Sequence, residues 1–270
     1  MMNILLPTDF SENSKNAAIY ALQFFKDVPC NFHLLHVMTA PSMAAGISNS
    51  NIPQDVQKKF DELLSLLHQL TKNAEHTFNI SFKVNFLIEA VRQQVDEKKI
   101  DLILMGTKGA TNKKGPIIGK NTSDVMMKVK CPVMAISENA IFKTHKEILF
   151  PTDYKIHYSE RMLNTLLILT NLSKASVKIL ELFNSELEPS EEQITNKTFL
   201  HNSFVSDKPL VQTYYSAQNT DTNLFFQANP NVDMIVMAAK NLNLCQKLLK
   251  NTSQNQIPFI NKLPLLVLHG

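Results

Sequence analysis

Apolar and polar positions follow a strand–helix rhythm along the first half of the chain. Ile4 to Pro7 is a short apolar run that reads as a strand. From Ser11 the apolar residues fall at helical spacing, with Ala18, Ala21, Leu22 and Phe25 on one side. Asn31 to Val37 reads as a second strand, and a long helix from Pro53 carries Val56, Phe60, Leu63, Leu64, Leu67, Leu70 and Ala74. Ser81 to Phe86 alternates as a third strand, and Leu87, Val91 and Val95 mark a third helix. The run Asp101-Leu-Ile-Leu-Met105 is a buried strand closed by Gly106. After a loop, Asn121-Thr-Ser-Asp124 supplies capping residues for a helix with Val125, Met126 and Val129 on one side. Val133 to Ile136 is the last strand. Strands alternating with helices predict an α/β fold, a doubly wound, five-stranded parallel sheet with right-handed crossovers.

The second half repeats the first. Leu5-Leu-Pro-Thr-Asp-Phe10 returns as Leu149-Phe-Pro-Thr-Asp-Tyr154, and Asp101-Leu-Ile-Leu-Met-Gly106 as Asp233-Met-Ile-Val-Met-Ala238. Lys120-Asn-Thr-Ser123 returns as Lys250-Asn-Thr-Ser253, and Cys131-Pro-Val-Met-Ala-Ile136 as Leu263-Pro-Leu-Leu-Val-Leu268. Four matches in one order indicate a tandem duplication of a whole domain. Two domains are expected, at 1–140 and 145–270, with the boundary between Glu138 and Lys146.

Four of the six glycines, Gly106, Gly109, Gly115 and Gly119, fall within one short stretch after the fourth strand. Lys108, Lys113, Lys114 and Lys120 lie there too, and no acidic residue occurs between Asp101 and Asp124. A glycine-shaped, electropositive loop that runs into a helix N-terminus suits an anion, phosphate first. In a doubly wound sheet, ligands collect at carboxyl strand ends where strand order reverses. If strands one and four are central neighbours, Pro7-Thr8-Asp9 and the glycine loop converge on one crevice.

The residues Gly106, Gly109 and, after nine residues, Gly119-Lys-Asn-Thr122 resemble the glycine motif of the universal stress protein family. The strand ending in Pro-Thr-Asp and the late Cys-Pro-Val strand match as well, and the likeness extends to both halves. The resemblance implies an adenine nucleotide alpha hydrolase-like fold, with terminal strands pairing across domains, and ATP as ligand, with Mg²⁺ as a companion ion. It implies that Asp9 contacts the ribose, that Pro7 and Thr8 shape the turn beside the base, and that Val37 offers backbone groups to adenine. Met105 and Gly106 would lie near the ribose, with Lys108 beginning the glycine loop. Backbone N–H groups around Gly109 and from Gly119, Lys120, Asn121 and Thr122 would hold the phosphates, the Thr122 hydroxyl adding one bond. Lys120 stands where the family commonly has Ser. In the second copy the glycines are replaced by Ala238, Asn241 and Leu249, so that site is degraded and tight ATP binding is not expected there.

The function expected is a stress-response regulatory protein that binds ATP in its N-terminal domain. The alternative is an interaction or dimerisation module of the same fold, acting on an unknown protein partner and forming a homodimer. Hydrolysis is expected to be slow at most, because no acid–base pair or Walker A spacing is visible. A net charge of +3 does not call for nucleic acid, no apolar run approaches a membrane span, and no signal peptide is visible, so a cytoplasmic location is expected. Cys30, Cys131 and Cys245 read as packed, reduced thiols. His33 and His36 are read as ordinary residues on one face of the second strand, with no metal role.

Overall fold

The computed structural model describes residues 1–38, 51–108, 118–144, 146–183, 188–204, 210–215, 229–241 and 263–269. The chain divides into two units, Met1–Phe142 and Lys143–Gly270.

In the first unit the order is β1 (Met2–Pro7), α1 (Glu12–Phe24), β2 (Cys30–Met38), α2 (Gln54–Leu70), β3 (Thr77–Val84), α3 (Leu87–Lys98), β4 (Leu102–Gly106), α4 (Lys120–Lys128) and β5 (Val133–Ile136). Its strands are all parallel, in the order β3-β2-β1-β4-β5. Strand order therefore reverses between β1 and β4, as the sequence argument required. Helix α1 packs on α2, and α3 on α4, which right-handed crossovers place on opposite faces of the sheet. The strand interiors Ile4–Leu6, Leu34–Leu35 and Leu102–Leu104 are almost wholly buried. Such near-continuous apolar runs are what a sheet covered on both faces needs.

The second unit has β6 (Glu147–Thr152), α5 (Glu160–Ser173), β7 (Ser176–Phe183), α6 (Glu191–Asn202), β8 (Leu210–Tyr215), β9 (Val232–Ala238) and β10 (Leu265–Leu268). Its parallel order, β8-β7-β6-β9-β10, reproduces the first unit's.

Local signals account for most boundaries. Ser11, Ser159 and Ser190 cap α1, α5 and α6 through their side chains, each cap contributing about 0.5–2 kcal/mol. Third-strand pairing departs from the expected Ser81–Phe86 and runs from Thr77 to Val84. The earlier start is fixed by Phe78, whose ring stacks on Phe32 at 5.5 Å. Asn85 ends the strand, its side chain accepting the Phe86 N–H at 2.7 Å as α3 begins. Cys30 and Cys131 are buried, and burial pushes the Cys30 thiol up to about 12, so it is an inert packing residue. Cys245 lies outside the described residues.

The two histidines of β2 do not share a face. They are three residues apart, and side chains in a strand alternate with a period of two. His36 lies on the α1–α2 side, its ring 4.7 Å from that of Phe10 and 6.4 Å from that of Phe60. His33 lies on the α3 side and is 7% exposed, with neither ring nitrogen hydrogen-bonded. Burial, and secondarily the Lys98 charge at the end of α3, lowers the His33 pKa. The unfolded chain takes up a proton near the ordinary value of 6.5, whereas the folded state does so only at lower pH. This contribution to stability is therefore complete above that value and shrinks as pH falls through it towards the lowered one. His36 is lowered as well, mainly by burial, and adds in the same direction.

His33→Leu removes a buried polar group without a partner, worth about 1–3 kcal/mol. Thermal unfolding should show a higher midpoint at pH 7 and a shallower decline from pH 7 to pH 5. An unchanged decline would mean that His33 is not the titrating group.

Candidate functional site

The candidate site is built from two chain segments that meet at the carboxyl ends of β1 and β4. The first is the turn leaving β1. Pro7, its last residue, pairs with Leu35, and the Thr8 N–H continues the ladder to the Leu35 carbonyl at 2.8 Å. The Thr8 hydroxyl oxygen then accepts the Phe10 N–H at 3.0 Å and lies 3.1 Å from the Ser14 hydroxyl. This short loop holds Phe10 at φ 61°, the left-handed region, which costs a non-glycine residue about 1–3 kcal/mol. The Phe10 ring offsets that cost by packing between His36 and Phe60.

Asp9 is exposed and does not cap α1 itself. Its Oδ1 accepts the Ser11 N–H at 3.1 Å and the Ser11 hydroxyl at 2.6 Å, and Ser11 in turn caps the helix. His36 donates from Nδ1 to the Thr8 carbonyl at 2.8 Å, which fixes its tautomer and ties β2 to the turn. Sequence reasoning took His36 for an ordinary strand residue. Its place two positions before the end of the strand beside Pro-Thr-Asp was the available signal.

Val37 is half-buried and sits in register with Lys83 of β3. Residues two apart in a parallel strand present their backbone groups to the same neighbour. Leu35 gives its carbonyl to the β1 side, so the Val37 N–H and C=O point to that side, beyond the last paired residue of β1.

The second segment leaves β4. Met105 is 6% exposed, Gly106 is half-buried and Thr107 continues the β5 ladder through its N–H to Ile136. Lys108 is half-buried; Gly109 lies outside the described residues. The chain returns at Gly119, whose N–H bonds the Thr107 carbonyl at 2.6 Å. This bond brings the two ends of the glycine loop together. Helix α4 starts at Lys120, one residue earlier than the Asn121 start read from the sequence, and its N-cap is Gly119. A glycine cap has no side chain to receive the first N–H groups, so among the described residues those of Lys120, Asn121 and Thr122 have no side-chain cap. The first turn carries no acidic residue.

The Thr122 hydroxyl is committed elsewhere. It is 3% exposed and donates to the Gly106 carbonyl at 2.7 Å, so Thr122 offers the crevice its backbone N–H and not its hydroxyl. Lys120 and Asn121 are exposed at the helix start.

Gly106 has a steric reason to be glycine. A Cβ built there would stand 2.8 Å from Cγ of Asn13 and 3.0 Å from its Nδ2 and Oδ1. Asn13, on the first turn of α1, was not singled out by sequence reasoning. Nothing in its local pattern separates it from an ordinary polar helix residue.

The second unit keeps the frame and loses the opening. Thr152 again accepts the N–H of the residue two on, and Tyr154 repeats the left-handed φ at 57°. Where the first unit has half-buried Phe10 and small Ser14, the second has Tyr154 and Tyr158, neither with exposed surface. The Tyr158 hydroxyl bonds Thr152. The Tyr154 hydroxyl donates to Glu181 at 2.8 Å and lies 2.9 Å from Nε2 of His201, and the Tyr154 ring sits under Lys197, which pairs with Glu181 at 2.7 Å. Burial, reinforced by Glu181, drives the Tyr154 hydroxyl pKa upward, so it stays a proton donor. Ala238 ends β9, buried Asn241 closes a 3₁₀ turn, and Leu249 lies outside the described residues.

Gly106→Ala is expected to cost about 1–3 kcal/mol, the range for overpacking. Asn13→Ala in the same chain should return most of that loss. Chemical denaturation of the two single variants and the double variant measures both; additive losses would rule out the contact.

No helix among the described residues is long and apolar enough to cross a membrane, and none of their His, Cys, Asp and Glu side chains cluster as a metal site. The sequence profile of the universal stress protein family matches residues 1–137. Universal stress protein MJ0577 of Methanocaldococcus jannaschii is 28% identical over 153 residues, covering 49% of this chain and 93% of that one. Universal stress protein MJ0531 of the same organism is 22% identical over 138 residues, covering 50% and 81%. Among solved structures, a universal stress protein from Archaeoglobus fulgidus is similar in fold, with a TM-score of 0.65 at 17% identity over 99% of this chain and 96% of that one. With half the chain matched by the family profile and the remainder built on the same strand order, the chain belongs to the universal stress protein family.

Proposed function

We propose that the chain is a stress-response regulatory protein whose N-terminal unit, residues 1–140, binds ATP, while the unit at 145–270 carries a degenerate form of the same site. The observation that carries the reading is the start of α4. Three backbone N–H groups without a side-chain cap and the positive end of the helix dipole face the end of β4, with Lys108 and Lys120 beside them and no acid in the first turn. Phosphate groups are the ligand that such an end favours. Asp9 and the backbone of Val37 border the same crevice from the β1 side and suit the polar edges of a nucleoside. In the second unit two buried tyrosines stand beside the matching turn, which argues against a second nucleotide. Magnesium, where present, would arrive on the phosphates, since no group of His, Cys, Asp and Glu side chains among the described residues forms a cage for it.

The alternative, an interaction or dimerisation module that needs no nucleotide, is favoured by two observations. Asp9 already holds both polar groups of Ser11, and the Thr122 hydroxyl is committed to Gly106. A homodimer and a protein partner belong to either reading.

Mass spectrometry of small molecules released from freshly purified, denatured protein should find about one adenine nucleotide per chain. Titration with ATP should saturate at one site, and Gly109→Val with Gly119→Val should abolish it while leaving the folded state intact. Two nucleotides per chain would overturn the reading of the second unit. No released nucleotide together with no binding at millimolar ATP would move the assignment to the interaction module.

A further inference from the structure

The two halves of the candidate site are separated by about a hundred residues, yet the first turn of α1 touches both. On one side Ser11 and Ser14 are hydrogen-bonded to Asp9 and Thr8. On the other, Asn13 spreads its amide over Gly106 and donates from Nδ2 to the Lys108 carbonyl at 2.8 Å. That carbonyl belongs to the last described residue before the glycine loop. We propose that Asn13 is a positioning residue of the candidate site, a tether that sets where the glycine loop leaves β4 and so where a ligand's phosphates are held. The inference rests on the nucleotide-binding reading for its functional part; the tether itself is a property of the ligand-free chain.

Four observations support it. Asn13 is only 5% exposed, and its Oδ1 is buried without a hydrogen-bond partner. That arrangement costs folding free energy which an alanine would avoid. The single bond the amide makes is to the loop's first carbonyl, and this bond also decides which end of the amide is nitrogen. Gly106 must lack a Cβ for the amide to lie where it does, so a glycine of the motif and Asn13 form one steric unit. In the second unit both partners change together. Ala238 replaces Gly106, and the residue four beyond Asp153, as Asn13 is four beyond Asp9, is an exposed His157 whose ring stacks on Phe199 at 6.0 Å. The tether is missing from the unit whose glycine motif is missing.

The tether acts on the loop and not on the base, which separates it from a general packing role. With Asn13 replaced, the loop's starting point is released while the Asp9 turn and the Val37 backbone are left in place. Affinity for ATP should therefore fall and affinity for adenosine should not. The Lys108 carbonyl is also the group a protease must attack to cut after Lys108, and holding it should slow that cut.

The test uses the full chain with Asn13→Leu, which keeps the side chain's bulk without its donor, and Asn13→Asp, which keeps its shape without the N–H. In ligand-free protein, tryptic cleavage after Lys108 should quicken several-fold in both variants, with cleavage after Lys26 and Lys174 unchanged. ATP affinity should drop about tenfold, ~1.4 kcal/mol, at constant adenosine affinity. An unaltered rate after Lys108 would remove the tether. Equal loss of ATP and adenosine affinity would reduce Asn13 to a packing residue and overturn its positioning role. If the wild-type chain binds no ATP, the function proposed above falls, and the Lys108 cleavage rate still decides whether Asn13 holds the loop.

Discussion

The N-terminal site depends on how closely α1 approaches the end of β4. The approach is possible because Gly106 has no Cβ, and the gap is filled by the Asn13 amide. Once that contact is made, the direction of α1 is set. Thr8, Asp9 and Ser11 then settle into one hydrogen-bonded knot at the helix start. On the far side of the crevice, Thr122 bonds the carbonyl of the same glycine. A single residue at a strand end thus has α1 on its side-chain face and α4 on its carbonyl. A side chain at 106 disturbs the approach of α1 directly, and the geometry of the loop with it.

The second unit shows what the same backbone becomes when this constraint is lifted. Strand order, the threonine-closed turn and the left-handed residue are all retained. In the first unit the left-handed residue packs its ring on the β2 histidine; in the second, Tyr154 hydrogen-bonds the β7 residue Glu181. A buried carboxylate needs partners, because an unpaired charge in the interior costs several kcal/mol. Glu181 has them in the Tyr154 hydroxyl and in Lys197, with His201 against that hydroxyl. Polar groups that could have faced a ligand are therefore satisfied within the protein. The larger side chains at this turn and the internal network they join are two descriptions of one substitution pattern.

Much of this was legible in the residues. The parallel sheet follows from the alternation of apolar runs with helical spacing, and the duplication from four ordered matches. The nearness of the Pro7-Thr8-Asp9 turn to the end of β4 follows from their being placed at strand ends that the topology makes neighbours. What escaped detection has a common character. Asn13 and His36 act through contacts to backbone carbonyls, of Lys108 and Thr8, that lie 95 and 28 positions away. A local pattern of polar and apolar residues contains no trace of such a partner. The Thr122 hydroxyl was assigned outward for the same reason, since its acceptor, the Gly106 carbonyl, becomes adjacent only when β4 and α4 pack. Third-strand limits slipped because Phe78 belongs to a stack on Phe32 that a period-of-two pattern cannot distinguish from a loop aromatic.

The contrast among helix starts carries the electrostatic argument further than net charge does. Helices α1, α5 and α6 begin with a serine cap and an acid in the first turn, which neutralises their positive ends within the protein. Helix α4 begins with glycine, lysine and no acid. A protein of net charge +3 has little global field to offer an anion. The field at this one helix end is local, unscreened by a side-chain cap, and directed at the strand ends where the Pro-Thr-Asp turn also arrives. On the proposed nucleotide-binding reading, selectivity for a phosphate-bearing ligand over a simple anion would come from the β1 side, where Asp9 and the Val37 backbone would present groups that a bare phosphate cannot use.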